Sequence, residues 1–152
     1  VAGVRALGLK SCIAHVEFIY TENGPKLLEI AARPGAHRNY LLEMTHGVSL
    51  NVQYYNSQKR QAIDCTIKDE KNFAILTPFP RIKKQFLGLN DVEMFKSLPS
   101  YRNHEFRVKG GDLIGPAREG HYSCFVLELM ADSREVLWAD IETVKEMGDC
   151  FL

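Results

Sequence analysis

No Cys-x-x-Cys pair, no long apolar run and no surplus of either charge occurs in this 152-residue chain. Each absence removes a class of function. Cys12, Cys65, Cys124 and Cys150 are far apart and carry no zinc-ligand spacing, so they read as reduced core residues rather than a metal or disulfide framework. No stretch approaches the roughly 20 apolar residues that cross a bilayer. Lys plus Arg number 19, as do Asp plus Glu, so nothing draws the chain to nucleic acid or to an anionic membrane. No signal peptide is recognisable, and the expected location is the cytoplasm. Neither Gly-x-x-x-x-Gly-Lys-Ser/Thr nor Gly-x-Gly-x-x-Gly is present, and Lys109-Gly110-Gly111-Asp112 is too short to replace them. No nucleophile-elbow serine appears, and no cysteine has a catalytic setting. What remains is an ordinary globular composition, 45% hydrophobic and 25% charged.

Residues 15–35 are the most informative stretch. Cys12 to Tyr20 is rich in β-branched and aromatic residues, Lys26 to Ala32 is mostly apolar, and Asn23-Gly24 marks a turn, which together spell a hairpin. Alternation puts His15, Glu17 and Ile19 on one face of the first strand, and Glu29, Ala31 and Arg33 on one face of the second. The turn decides whether those faces coincide. A two-residue Asn23-Gly24 turn sets Glu17 opposite Ile30. A three-residue loop, Glu22 to Gly24, pairs Thr21 with Pro25 and sets Glu17 opposite Glu29. We expect the second register, within a larger antiparallel sheet. Facing carboxylates repel and call for a cation, and Mg²⁺ suits carboxylate oxygens, waters and phosphates. A structural salt-bridge ladder with Arg33 is the competing account.

Arg38 to His46 reads as a helix closed by Gly47, with Ser49 capping another to about Ser57; a helix is also expected over Val1 to Leu9. Lys59-Arg60-Gln61 is the best internal boundary. Beyond it, short strands are expected at Cys65–Ile67, Phe73–Pro78, Glu105–Val108 and Tyr122–Met130. A short helix should start at Asn90 or Asp91, and Asp132 to Glu135 is a capping box for a last helix ending near Gly148. Tyr54, Tyr55, Trp138 and the Phe residues read as core or interface. His15 is either a hydrogen-bonded strand residue or a nucleotide or metal contact. His37 and Arg38 either line a pocket or face solvent, His46 suits a helix end, and His104 and His121 have no evident partner.

Glu17, then Leu28-Glu29-Ile30-Ala31-Ala32-Arg33-Pro34-Gly35, then Gly47-Val48-Ser49-Leu50, together resemble the last part of the ATP-grasp catalytic core. The likeness is nearest to the L-amino-acid ligase and dapdiamide-synthase-like branch and more distant to biotin carboxylase. It is specific over residues 6 to 56 and looser over 72 to 148, where it is similar to the small carboxy-terminal domain of amino-acid ligases. The resemblance implies that Glu17 and Glu29 bind Mg²⁺ (or Mn²⁺) and the nucleotide, while Arg33 steadies a phosphate or acyl phosphate as the catalytic residue. Two departures stand out. Many members carry Asn where Ala31 stands, and a second Gly where Ala36 stands.

The implied fold class is α+β, an antiparallel sheet with packed helices. Residues 1–60 would form the end of the ATP-grasp core and 61–152 a small α+β subdomain. The implied activity is that of an ATP-dependent, ADP-forming carboxylate–amine ligase acting through an acyl phosphate on small carboxylate and amine substrates. A biotin-carboxylase or carbamoyl-phosphate-synthase-like enzyme and a non-catalytic interaction module are the alternatives. Because the phosphate-binding lysines and glycine-rich loop lie in the family's preceding lobe, this chain is expected to be the carboxy-terminal piece of the enzyme. Alone it should fold, neither hydrolyse ATP nor bind it tightly, and tend to homodimerise through exposed apolar surface.

Overall fold

A computed structural model describes residues 2–89, 92–120 and 122–146. The chain divides into two compact units, Val1–Glu70 and Lys71–Leu152, so that residues 61–70 go with the first. Both units mix helices with strands, and every strand pair is antiparallel, which makes the fold α+β.

In the first unit, α1 (Ala2–Ala6) is followed by β1 (His15–Thr21), β2 (Gly24–Ala31), α2 (Arg38–His46) and α3 (Leu50–Gln58). The first helix is shorter than expected: Gly8, at φ 67°, turns the chain out of it. The second meets the expectation. Gly47 adopts φ 66° and donates its N–H to Glu43, while the Val48 N–H reaches the Leu42 carbonyl. Ser49 stands at the N-cap of α3 without a side-chain capping bond; Asn39 supplies one from α2, its Oδ1 accepting the Asn51 N–H at 3.1 Å.

The expected strand at Cys65–Ile67 does not form. Its backbone is instead tied by single bonds: Asp64 N–H to Gln53 Oε1, Thr66 N–H to Asp64 Oδ1, and Lys68 N–H to the His46 carbonyl. A segment anchored to side chains and a helix end has no ladder to join. Cys65 is consequently exposed and Cys12 half-buried, and of the three described cysteines Cys124 alone belongs to a core. Tyr54, Tyr55 and Trp138 are likewise exposed rather than core, each offering an apolar body to water. The hairpin also differs from expectation, since β1 and β2 form a two-stranded sheet by themselves.

The second unit holds the larger core. β3 (Asn72–Leu76), β7 (Phe125–Ala131) and β5 (Tyr101–Phe106) form a sheet in the order β3-β7-β5. As the central strand, β7 is apolar almost throughout, and Phe125, Leu127 and Leu129 are fully buried. α4 (Val92–Lys96) sends Phe95 into this core, and α5 (Arg134–Glu146) adds Leu137, Ile141 and Val144. The start of α4 at Asn90 or Asp91 and the end of α5 near Gly148 lie outside the described residues. Two strands are unannounced by the sequence: β4 (Lys84–Gln85) and β6 (Leu113–Ile114) pair beneath the Lys109–Asp112 turn. Asp112 closes that turn on itself, accepting the Lys109 N–H at 2.8 Å. His104, for which the sequence names no partner, shares a 2.9 Å hydrogen bond with Tyr101 Oη through Nδ1 and stands edge-on to Phe106; His121 lies outside the described residues.

Candidate Mg-nucleotide site

The hairpin register sets the site. Glu17 stands opposite Glu29, Val16 opposite Ile30, and His15 opposite Ala31. The route to that pairing differs from expectation. The loop has two residues, Glu22 and Asn23, with Thr21 paired to Gly24 rather than to Pro25. Thr21 Oγ1 builds this turn, accepting the Asn23 N–H and donating to the Gly24 carbonyl, while Gly24 takes φ 88°. Such a turn would place Glu17 opposite Leu28. A β-bulge between Glu17 and Phe18 corrects it: Phe18 pairs with Leu27, Glu17 with Glu29, and Leu28 is the extra residue.

The bulge sorts the side chains. Val16, Phe18, Leu27 and Ile30 line an open apolar groove of about 330 Å³ shared with α1. Glu17 and Glu29 both fall outside that lining and are both solvent-exposed. His15 Nδ1 lies 3.6 Å from Glu17 Oε1, too long for a hydrogen bond.

Arg33 is not placed by strand alternation, because β2 ends at Ala31. The guanidinium is exposed and donates to the Pro34 carbonyl at 3.0 Å. Among the described residues it makes no ion pair with Glu17 or Glu29, so a salt-bridge ladder does not account for the acids. Arg38 is exposed and His37 half-buried at the N-cap of α2, with no capping bond from its side chain.

Sequence reasoning missed the role of Gly35. This residue is buried, and a Cβ placed on it would lie 2.6 Å and 2.7 Å from Cδ2 and Nε2 of His15, and 2.8 Å from Cγ of Arg38. The bend after β2 therefore packs its bare backbone onto the His15 ring. A Pro-Gly pair signals a turn and does not reveal which side chain will lie against it.

Among the described residues these two register-matched, exposed carboxylates have no lysine or arginine ion-pair partner, and facing carboxylates of this kind favour a cation between them. No cluster of three His, Cys, Asp or Glu able to hold a metal occurs among the described residues.

The fold is that of the carboxy-terminal part of ATP-grasp enzymes. The L-amino acid ligase from Bacillus licheniformis superposes with a TM-score of 0.74 at 18% identity over 94% of this chain. Phosphoribosylglycinamide synthetase from Anaerococcus prevotii gives 0.68 at 14% identity over 94% of the chain. N5-carboxyaminoimidazole ribonucleotide synthetase from Thermotoga maritima gives 0.64 at 14% over 95%. The chain spans 38%, 37% and 38% of the lengths of these three, respectively. No family model and no curated protein matches the sequence.

Proposed function

We propose that this chain supplies one side of the Mg-ATP site of an ADP-forming carboxylate–amine ligase, the reading that the pairing of Glu17 with Glu29 supports best. Amide formation from a carboxylic acid needs an activated acyl group, made when the carboxylate attacks the γ-phosphate of ATP. Several anions then gather in one place. Glu17 and Glu29 would hold Mg²⁺, which neutralises phosphate oxygens when bound. Arg33, exposed just past the end of β2, offers a planar fork of donors to a phosphate or to the acyl phosphate. No side-chain nucleophile is required, since catalysis by positioning and charge stabilisation suffices. No glycine-rich phosphate loop occurs among these 152 residues, and on this reading the rest of the nucleotide is held by another part of the enzyme. On this reading the 152 residues alone bind ATP weakly and do not turn it over.

The test uses the full-length protein and measures ADP release with amino acids, with bicarbonate and with neither. Glu29→Gln removes one charge and little volume, and should cut amino-acid-dependent turnover by at least about 100-fold. Glu93→Gln, in the other unit and with a carboxylate side chain 77% exposed, is the control. Equal effects of the two substitutions would dismiss the acid pair as the metal site, and ADP release driven by bicarbonate alone would move the enzyme to the carboxylase class.

A further inference from the structure

We propose that His15 is a positioning residue that seats the Arg33–Gly35 bend against the strand carrying Glu17. This rests on the reading of Glu17 and Glu29 as the metal-binding pair. Three observations converge on the imidazole. Its Nδ1 edge faces Glu17 Oε1 at 3.6 Å. Its Cδ2–Nε2 edge fills the space that any Cβ at position 35 would need, within 2.7 Å of it. Across the ladder its partner is Ala31, whose single methyl leaves the ring its room on the shared face.

The ring therefore touches two parts of the site that are not otherwise joined by a hydrogen bond or ion pair among the described residues. On one side is a carboxylate that must keep its orientation to bind a cation. On the other is the bare backbone of Gly35, two residues beyond Arg33. Gly35 is a glycine here for a packing reason, since its φ lies outside the left-handed range. With Ala at 35, the ring leaves Glu17 or the bend lifts and carries Arg33 with it, and Arg38 Cγ, 2.8 Å from that Cβ, gives way as well. A side chain that orients a metal ligand acts through that ligand, and its loss weakens binding without abolishing it.

Mn²⁺ binding to the full-length protein, read by electron paramagnetic resonance with and without ADP, tests the proposal beside the melting temperature of each variant. His15→Ala should weaken Mn²⁺ binding about tenfold, whereas His15→Asn, which keeps a polar group near Glu17, should stay within about threefold of the parent. Gly35→Ala should weaken binding about tenfold as well. The double variant His15→Ala/Gly35→Ala should lose less than the sum of the two single losses, because the collision with the ring is gone and only that with Arg38 Cγ, at 2.8 Å, is left. Additive losses in the double variant, or equal losses with Ala and Asn at position 15, would overturn the proposal. If Gly35→Ala does not fold, the Ala-against-Asn comparison decides alone. Glu29→Gln separates the two layers of argument. Intact Mn²⁺ binding in that variant removes the metal-site reading and the role of His15 with it. Lost binding there, with His15→Ala unaffected, overturns only the role of His15.

Discussion

Asp140 on α5 accepts the backbone N–H of Ser100 at 2.7 Å, joining residues 40 apart in the chain, both of them buried. The same serine's carbonyl takes the Met130 N–H at 2.7 Å, so the entry to β5 is pinned to the helix on one side and to β7 on the other. Asp140→Ala leaves a buried N–H without a partner, and should cost about 1–3 kcal/mol of stability in urea denaturation. An unchanged midpoint would show that water reaches the freed N–H.

The Ser100 hydroxyl itself is wasted. Ser100 Oγ is fully buried and has no hydrogen-bond partner among the described residues, although its backbone is fully engaged. Ser100→Ala removes an unsatisfied polar atom and keeps both backbone bonds. It should therefore be neutral or stabilising by up to about 1 kcal/mol, opposite in sign to Asp140→Ala. Thermal melts of the two variants side by side check this contrast.

The start of α5 carries a pH dependence. Ser133 caps the helix, its Oγ accepting the Val136 N–H and donating to Glu135 Oε2 at 2.7 Å. The cap is thus Ser133 rather than the Asp132 of the expected capping box, and Glu135 bonds its hydroxyl instead of closing a box. The Ser133 hydroxyl holds the Glu135 carboxyl below its ordinary value of 4.5, helped by a backbone hydrogen bond and by nearby Arg134. A depressed folded-state pKa gives stability that is present above the unfolded value and lost as pH falls through the folded one. Ser133→Ala should therefore be less stable than the parent near neutrality, and that part of the gap should close as pH drops below 4.5. Denaturation at a series of acidic pH values, with an NMR titration of Glu135, would detect it. A gap that widens towards acid would refute the assignment.

The second helix and its glycine stop were legible from the sequence because their determinants are local: a run from Arg38 to His46, then a residue able to take φ 66°. The pairing of Glu17 with Glu29 was legible for another reason. Of the two turns considered, only the one pairing Glu17 with Glu29 puts both acids on one face, and the chemistry of the residues asked for it. The path to it was hidden, since Thr21 Oγ1 tightens the turn and Leu28 absorbs the excess, and neither act follows from strand alternation. Contacts set by distant parts of the chain were invisible. Two-residue strands such as β4 and β6 have no periodicity to read, Gly35 gives no hint of His15, and Ser100 gives none of Asp140. At residues 65–67 the apolar texture suggested a strand, but tertiary anchoring to Gln53 and His46 fixed an irregular path nearby.

The bulge at Leu28 divides the hairpin into two stretches of different register. Between it and the tip lie four ladder pairs, from Phe18–Leu27 to Thr21–Gly24, and beyond it lie the acids. A one-residue change in tip length in an unbroken ladder would be transmitted as a shift of every later pair. Here the mismatch is taken up before it reaches Glu29. The bulge works like the slack in a cable: it takes up the one residue of mismatch that the Glu22-Asn23 tip sets, and the carboxylates keep their alignment.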